Sequence, residues 1–230
     1  MDFDLHLDLG NQGGLLLTER VKPVAGFTLI EMLVTMVIFG ILAALTVPSM
    51  QVWMANTRVR AVADSLQNGL RLAQAESLRR SRQVVFALTS NSPTAASPAF
   101  TASATGTNWA VVTIPVVVGE VSEFIQSGVL ATGVSNVTLT VANGSGAEVC
   151  FNSVGRLVTN TSTGVPGGSC SVPSSGYGAN TQPMLVYKVQ MTNGSSQTLT
   201  PLYVEVALGG QVHLCDPSQA TNASGNAYGC

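Results

Sequence analysis

The chain is 230 residues long, with 46% hydrophobic and 10% charged side chains and a formal net charge of −2. Its charged fraction lies well below the roughly 25% of an ordinary soluble domain, and so even a balance excludes a polybasic or polyacidic tail. What remains is a membrane segment, a secreted β-rich chain full of Ser, Thr, Asn and Gly, or both in different places.

The first strong element is the 21-residue run from Phe27 to Val47, whose single charge is Glu31. A bilayer core needs about 20 apolar residues in a helix, so this run is predicted to span a membrane. Arg20 and Lys22 precede it, which leaves the N-terminus cytoplasmic and the following residues on the periplasmic side. A secretory signal peptide fits poorly: the run exceeds the usual h-region, and no small-x-small cleavage site follows. Gly40 and Pro48 punctuate the helix. Proline there removes a backbone hydrogen bond at a cost of ~3 kcal/mol, so a kink at the membrane exit is one reading.

From Pro48 to Arg82 the pattern is an amphipathic helix. Val52, Ala55, Val59, Val62, Leu66, Leu70, Ala73 and Ser77 recur at i, i+3 or i+4 and form one apolar or small stripe. Glu76 and Arg80 are placed as a favourable i, i+4 pair. With the span this predicts a helix of nearly 60 residues, on the order of 85 Å at 1.5 Å per residue. Residues 58–82 carry six arginines against two acids, a net of +4, whereas residues 83–230 carry −3. Arg60, Arg71 and Arg82, spaced by 11, fall within roughly 40° of one another on a helical wheel. This basic stripe reads as a solvated face or a contact edge for acidic heads of neighbouring subunits, with DNA phosphates a weaker option.

Beyond Gln83 the chain changes to short β-type runs separated by turn residues. The expected strands are Gln83–Leu88, Trp109–Val118, Val134–Val141, Glu148–Phe151, Val154–Val158, Met184–Val189, Leu202–Leu208 and Gln211–Cys215. Ser90–Thr107 and Thr159–Gln182 read as exposed loops. Pro115 marks the second run as an edge strand or bulge, and Gly209-Gly210 is expected to join the last two strands as a two-residue hairpin. Cys150, Cys170, Cys215 and Cys230 lie in the part placed outside the cytoplasm, where disulfides form. Four cysteines allow three connectivities, and proximity favours Cys150–Cys170 with Cys215–Cys230. No C-x2-C spacing is present, so no metal is expected from His213-x-Cys215-Asp216. Nothing specifies a nucleophile–base–orienter set around His213. No cofactor is expected and no residue is assigned a catalytic role.

The stretch Ala25-Gly26-Phe27-Thr28-Leu29-Ile30-Glu31 resembles the type III signal of type IV pilins and type II secretion pseudopilins. That resemblance implies that a prepilin peptidase removes residues 1–26 by cutting after Gly26, and that Phe27 is then N-methylated. The leader is long, and Asp2, Asp4 and Asp8 make its first half acidic. A carboxylate in a lipid-embedded helix costs on the order of 2.5–3.5 kcal/mol near its centre. In this family Glu31 would be neutralised by the new α-amino group of a neighbouring subunit, registering that subunit in the filament. Snorkelling to the interface is the bland alternative. Pilins place Gly and Pro at points matching Gly40 and Pro48, and the helix between them loosens on assembly.

Phe151-Asn152-Ser153-Val154-Gly155-Arg156-Leu157 and Val204 to Pro217 resemble the F-N-x-x-G-R segment and closing hairpin of GspH/FimT-type minor pilins. The implied fold is α+β: a long N-terminal transmembrane and amphipathic helix packed on a C-terminal antiparallel β domain with disulfides. The implied organisation is a leader (1–26), a membrane helix (27–47), an amphipathic helix (48–82) and a β-rich head (83–230). The implied role is that of a minor type IV pilin of the inner membrane, partnered by prepilin peptidase, membrane lipid and other major and minor pilins. The alternative is the corresponding pseudopilin of a type II secretion system, whose heads usually lack cysteines. In FimT-like members implicated in DNA uptake, hairpin arginines contact DNA. Here Gln211 and His213 stand at those positions, which disfavours DNA as a partner.

Overall fold

A computed structural model describes residues 26–97, 99–117, 119–130, 137–143, 146–160, 169–178, 180–191, 199–219 and 229–230. All of the expected leader (1–26) except Gly26, and the start of the expected strand at Val134, lie outside them. The chain divides into two compact units, one ending at Val47 and the other running from Pro48 to Cys230. Helix α1 (Leu29–Arg80) contributes to both.

In the first unit α1 begins at Leu29 with Thr28 as its N-cap. Thr28 Oγ1 accepts the Glu31 N–H at 3.3 Å, and Glu31 lies in the first turn, where a carboxylate complements the helix dipole. Phe27, Leu29, Ile30, Met36, Phe39 and Leu45 all stand exposed. The helix is long and apolar enough to cross a membrane.

In the second unit the stripe from Ala55 to Ser77 is buried at every predicted position, while Val52 is half-buried. The helix stops at Arg80 rather than Arg82, because Ser81 turns to φ 51° and Arg82 N–H returns to the Ser77 carbonyl. Two antiparallel sheets follow. One holds β3 (Phe124–Val129), β2 (Asn108–Thr113), β1 (Val84–Thr89), β5 (Glu148–Phe151) and β6 (Leu157–Val158), in that order. The other holds β4 (Val137–Asn143), β7 (Met184–Met191), β8 (Leu202–Ala207) and β9 (Val212–Cys215). The main core joins α1 to both sheets through residues such as Leu66, Leu70, Phe86, Phe151, Tyr187 and Val206.

β1 is buried along its whole length, which explains its unbroken apolar run. Its Phe86 and Leu88 join the main core, while Val85 faces a second cluster with Val112, Ile114, Cys150 and Cys170. Trp109 stacks on Phe86 with ring centroids 6.0 Å apart, and its indole N–H donates to Ser65 Oγ at 3.2 Å. These rings press on the backbone at Gly69, where a Cβ would come within 2.8 Å of Phe86. The helix accepts a poor helix former there because nothing larger fits.

Several expected elements are corrected. β2 ends at Thr113, so Pro115 lies beyond it; the strand is interior, and its irregularity is a bulge at Val111/Val112 against β3. β3 itself was not expected: its F-I-Q-S-G-V run is half-exposed and has no unbroken apolar stretch. The run Val154–Val158 shortens to Leu157–Val158, because Asn152 Oδ1 accepts the Val154 and Arg156 N–H groups and Gly155 takes φ 75°. The last hairpin has a three-residue loop. Gly210 N–H donates to Ala207 O, Ala207 N–H donates to Gln211 O, and Gly210 sits at φ 88°. That arrangement is a turn closed by a G1 bulge.

Candidate functional site

The two segments that carry the family resemblance meet each other and the helix. A Cβ on Gly210 would lie 1.8 Å from the Gly155 carbonyl oxygen, so this approach requires glycine at 210, while glycine at 155 is favoured by its φ of 75°. Gln74 of α1 donates to that same oxygen at 3.1 Å, and Leu157 N–H donates to Leu208 O at 3.0 Å. The F-N-x-x-G-R turn, the closing hairpin and α1 thus form one clasp. The glycines were legible as motif letters, but their mutual contact was not.

Below the clasp, α1 and the edge strand β9 enclose a cleft of about 550 Å3 lined by Arg60, Asp64, Gln67, Arg71, His213 and Asp216, among others. Arg71 donates to the Val212 carbonyl at 3.2 Å, occupying part of the β9 edge. His213 faces Glu205 across the β8–β9 ladder. Burial pushes the Glu205 carboxyl above its ordinary range, opposed by the charge of His213 when protonated. Glu205, His213 and Cys215 gather donor atoms within 4.8 Å of one another. However, Cys215 Sγ is bonded to Cys230, so no thiolate is offered there. The second disulfide joins Cys150 to Cys170.

The expected basic stripe is only partly present. Arg60 and Arg71 share the cleft, but Arg82 lies past the helix end, where it donates to Ile114 O and pairs with Glu120. Arg80 pairs with both Glu76 and Glu123, and Arg79 with Glu76. Two of the head's acids, Glu120 and Glu123, are therefore paired within the chain with Arg82 and Arg80, so Arg82 does not join Arg60 and Arg71 in a contact edge. The bonds from Arg79 and Arg80 hold the Glu76 carboxyl below its ordinary range, and the Val116 N–H and then Arg82 do the same for Glu120.

At the other end of α1, Gly26 and Phe27 are exposed just ahead of the capped turn that contains Glu31. Gly40 is exposed inside α1, with open space where a Cβ would be, and Pro48 lies within α1 at the start of the second unit. Thr28, a letter of the prepilin-type motif, also caps the helix. The T-x-x-E spacing before an apolar run is a capping-box signature and would have revealed it.

A capped, exposed apolar run that continues into an amphipathic helix, with a disulfide-bonded antiparallel head packed on residues 59–73 of that helix, is the architecture of a pilin-like structural protein. The prokaryotic N-terminal methylation motif matches residues 22–47, and the family described as type II transport protein GspH matches residues 62–182. The chain belongs to that GspH/FimT family of minor pilins and pseudopilins. Two similar solved structures are crystal forms of the type IV minor pilin FimU of Pseudomonas aeruginosa (strain PAO1). The first is 11% identical, covering 72% of this chain and 94% of that one, with a TM-score of 0.45. The second is 12% identical, covering 71% and 97%, with a TM-score of 0.42. No curated protein matches the chain significantly. The prepilin-type motif implies processing by prepilin peptidase and assembly with other pilins, and the apolar helix fits membrane anchoring.

Proposed function

We propose that the chain is a minor type IV pilin. It is inserted in the bacterial inner membrane with its N-terminus cytoplasmic, cut after Gly26, methylated at Phe27, and incorporated at or near the pilus tip to prime assembly. One observation carries the reading: Glu31 is the single charge of the exposed apolar helix and sits in the capped turn immediately behind Gly26-Phe27. Cleavage would create a cation at Phe27 able to neutralise Glu31 of a neighbour, which in lipid offsets a cost of a few kcal/mol. Gly40 and Pro48 are the points where the helix would loosen on assembly. Glu31→Ala is expected to leave membrane insertion intact and to reduce incorporation into filaments or tip complexes; unchanged incorporation would refute the registration role.

The second reading, a minor pseudopilin of a type II secretion system, is favoured by the family description itself. The four cysteines, all engaged in disulfides, favour the pilus. A DNA-uptake role is disfavoured because Gln211 and His213 stand where DNA-contacting relatives carry arginines, and phosphate binding depends on cations.

A further inference from the structure

Past the apolar run, α1 presents two opposite faces. Ala55, Val59 and Val62 are buried against the head, whereas Met50, Trp53 and Met54 stand 60%, 65% and 39% exposed. At 100° per residue these three fall within roughly 100° of one another, on the side away from the buried stripe. Arg58 and Arg60, both exposed, flank that face about one to two turns further along, and among the described residues neither is within salt-bridge reach of a carboxylate. An exposed apolar cluster edged by unpaired cations is a surface built for a partner rather than for water.

Chain distance selects the partner. Trp53 follows Val47 by six residues, about 9 Å on a helix and no more than about 22 Å even if fully extended. The headgroup zone of a bilayer is roughly 5–8 Å deep on each side of its hydrocarbon core. Helical side chains lean toward the N-terminus, so Arg58 and Arg60 direct their charges back along the helix toward Val47, and a guanidinium attracts phosphates across a screening length of about 8–10 Å. Tryptophan prefers this zone.

We propose that residues 50–60 form an interfacial belt that holds the unassembled subunit against the periplasmic leaflet. Met50, Trp53 and Met54 seat in the headgroup zone, their side chains leaning back from helix positions about 4–10 Å past Val47, and Arg58 and Arg60 are attracted to lipid phosphates across about a screening length. The proposal rests on the reading that residues 27–47 span the bilayer. It adds a step to assembly: leaving the membrane for the filament must strip lipid from this face as well as extract the span.

The chain's two tryptophans make the test direct, since Trp109 is 5% exposed within the head and serves as an internal control. The full chain is reconstituted in vesicles containing phosphatidylglycerol and lipids brominated either near the headgroup or deep in the acyl chain. The belt predicts that headgroup-proximal bromines quench the wild type more than deep ones, that W53F loses the quenching, and that R58Q/R60Q or purely zwitterionic vesicles weaken it. Equal quenching of wild type and W53F, with the chain still floating with the vesicles, would overturn the belt. So would shielding of Trp53 that grows with protein concentration together with a cross-linked dimer, since the face would then belong to a second copy. Failure to float would instead overturn the reading of the span.

Discussion

Replacing Gly210 by alanine should unlock the clasp. At φ 88° an alanine costs roughly 1–2 kcal/mol. Its Cβ would also sit 1.8 Å from the Gly155 oxygen, where Cβ contacts under 3.0 Å essentially never occur. The hairpin and the Gly155 turn must part by more than about 1 Å, which breaks or stretches the Gln74–Gly155 and Leu157–Leu208 bonds. Each is worth about 0.5–1.5 kcal/mol net, so the sum is roughly 2–5 kcal/mol. For a chain of this size that corresponds to a fall in Tm on the order of 10 °C. Gly209→Ala is the matched control: no atom lies within 4 Å of its Cβ position, and a change within about 0.5 kcal/mol is expected. Near-UV circular dichroism on the full chain in detergent reads both melts. Equal Tm values for the two variants would refute the clasp.

Gly69→Ala sets two effects against each other. Helix propensity gains about 0.8–1 kcal/mol, but overpacking against Phe86 and Trp109 costs about 1–3, so denaturant unfolding should show a net loss; a gain would mean that the rings have room to move. Each disulfide closes a loop of 15 or 20 residues and should contribute about 3 kcal/mol. C150S/C170S should cost more than C215S/C230S, because both its cysteines are buried in the second cluster, and paired unfolding curves would show this. Glu205 has a raised carboxyl pKa when folded. The stability it contributes is complete below the ordinary value of 4.5 and is lost as pH rises through the folded value. Glu205→Gln should therefore match the wild type in acid and exceed it at neutral pH in a pH series of melts. Glu76, lowered by Arg79 and Arg80, acts in the opposite sense. Its contribution is present above the ordinary value and lost as pH falls through the folded one, so Glu76→Gln should flatten the acid limb.

Local periodicity and composition determined the apolar run from Phe27 to Val47, the buried stripe from Ala55 to Ser77 and most of the strand cores, because burial imposes a period on a helix and an unbroken apolar run on a doubly covered strand such as β1. The segments around Gly155 and Gly210 marked the family for a similar reason, since each encodes a local backbone demand that few residue types meet, whereas the junction Gly26-Phe27 marked it as a motif beside an apolar run. Tertiary structure alone decided the rest. β3 has no period of its own, because it is half-buried with exposed residues at both Gln126 and Val129 and its pairing with β2 depends on a bulge. Arg82 left the basic stripe because the helix stopped two residues short, and Glu120 and Glu123 came from a distant loop to meet Arg82 and Arg80. The net charges of +4 and −3 were correct as sums, but a sum carries no positions. Whether a charge is spent inside the chain or left for a neighbour depends on distances of a few ångströms between residues some 40 apart in sequence, and no local pattern records them.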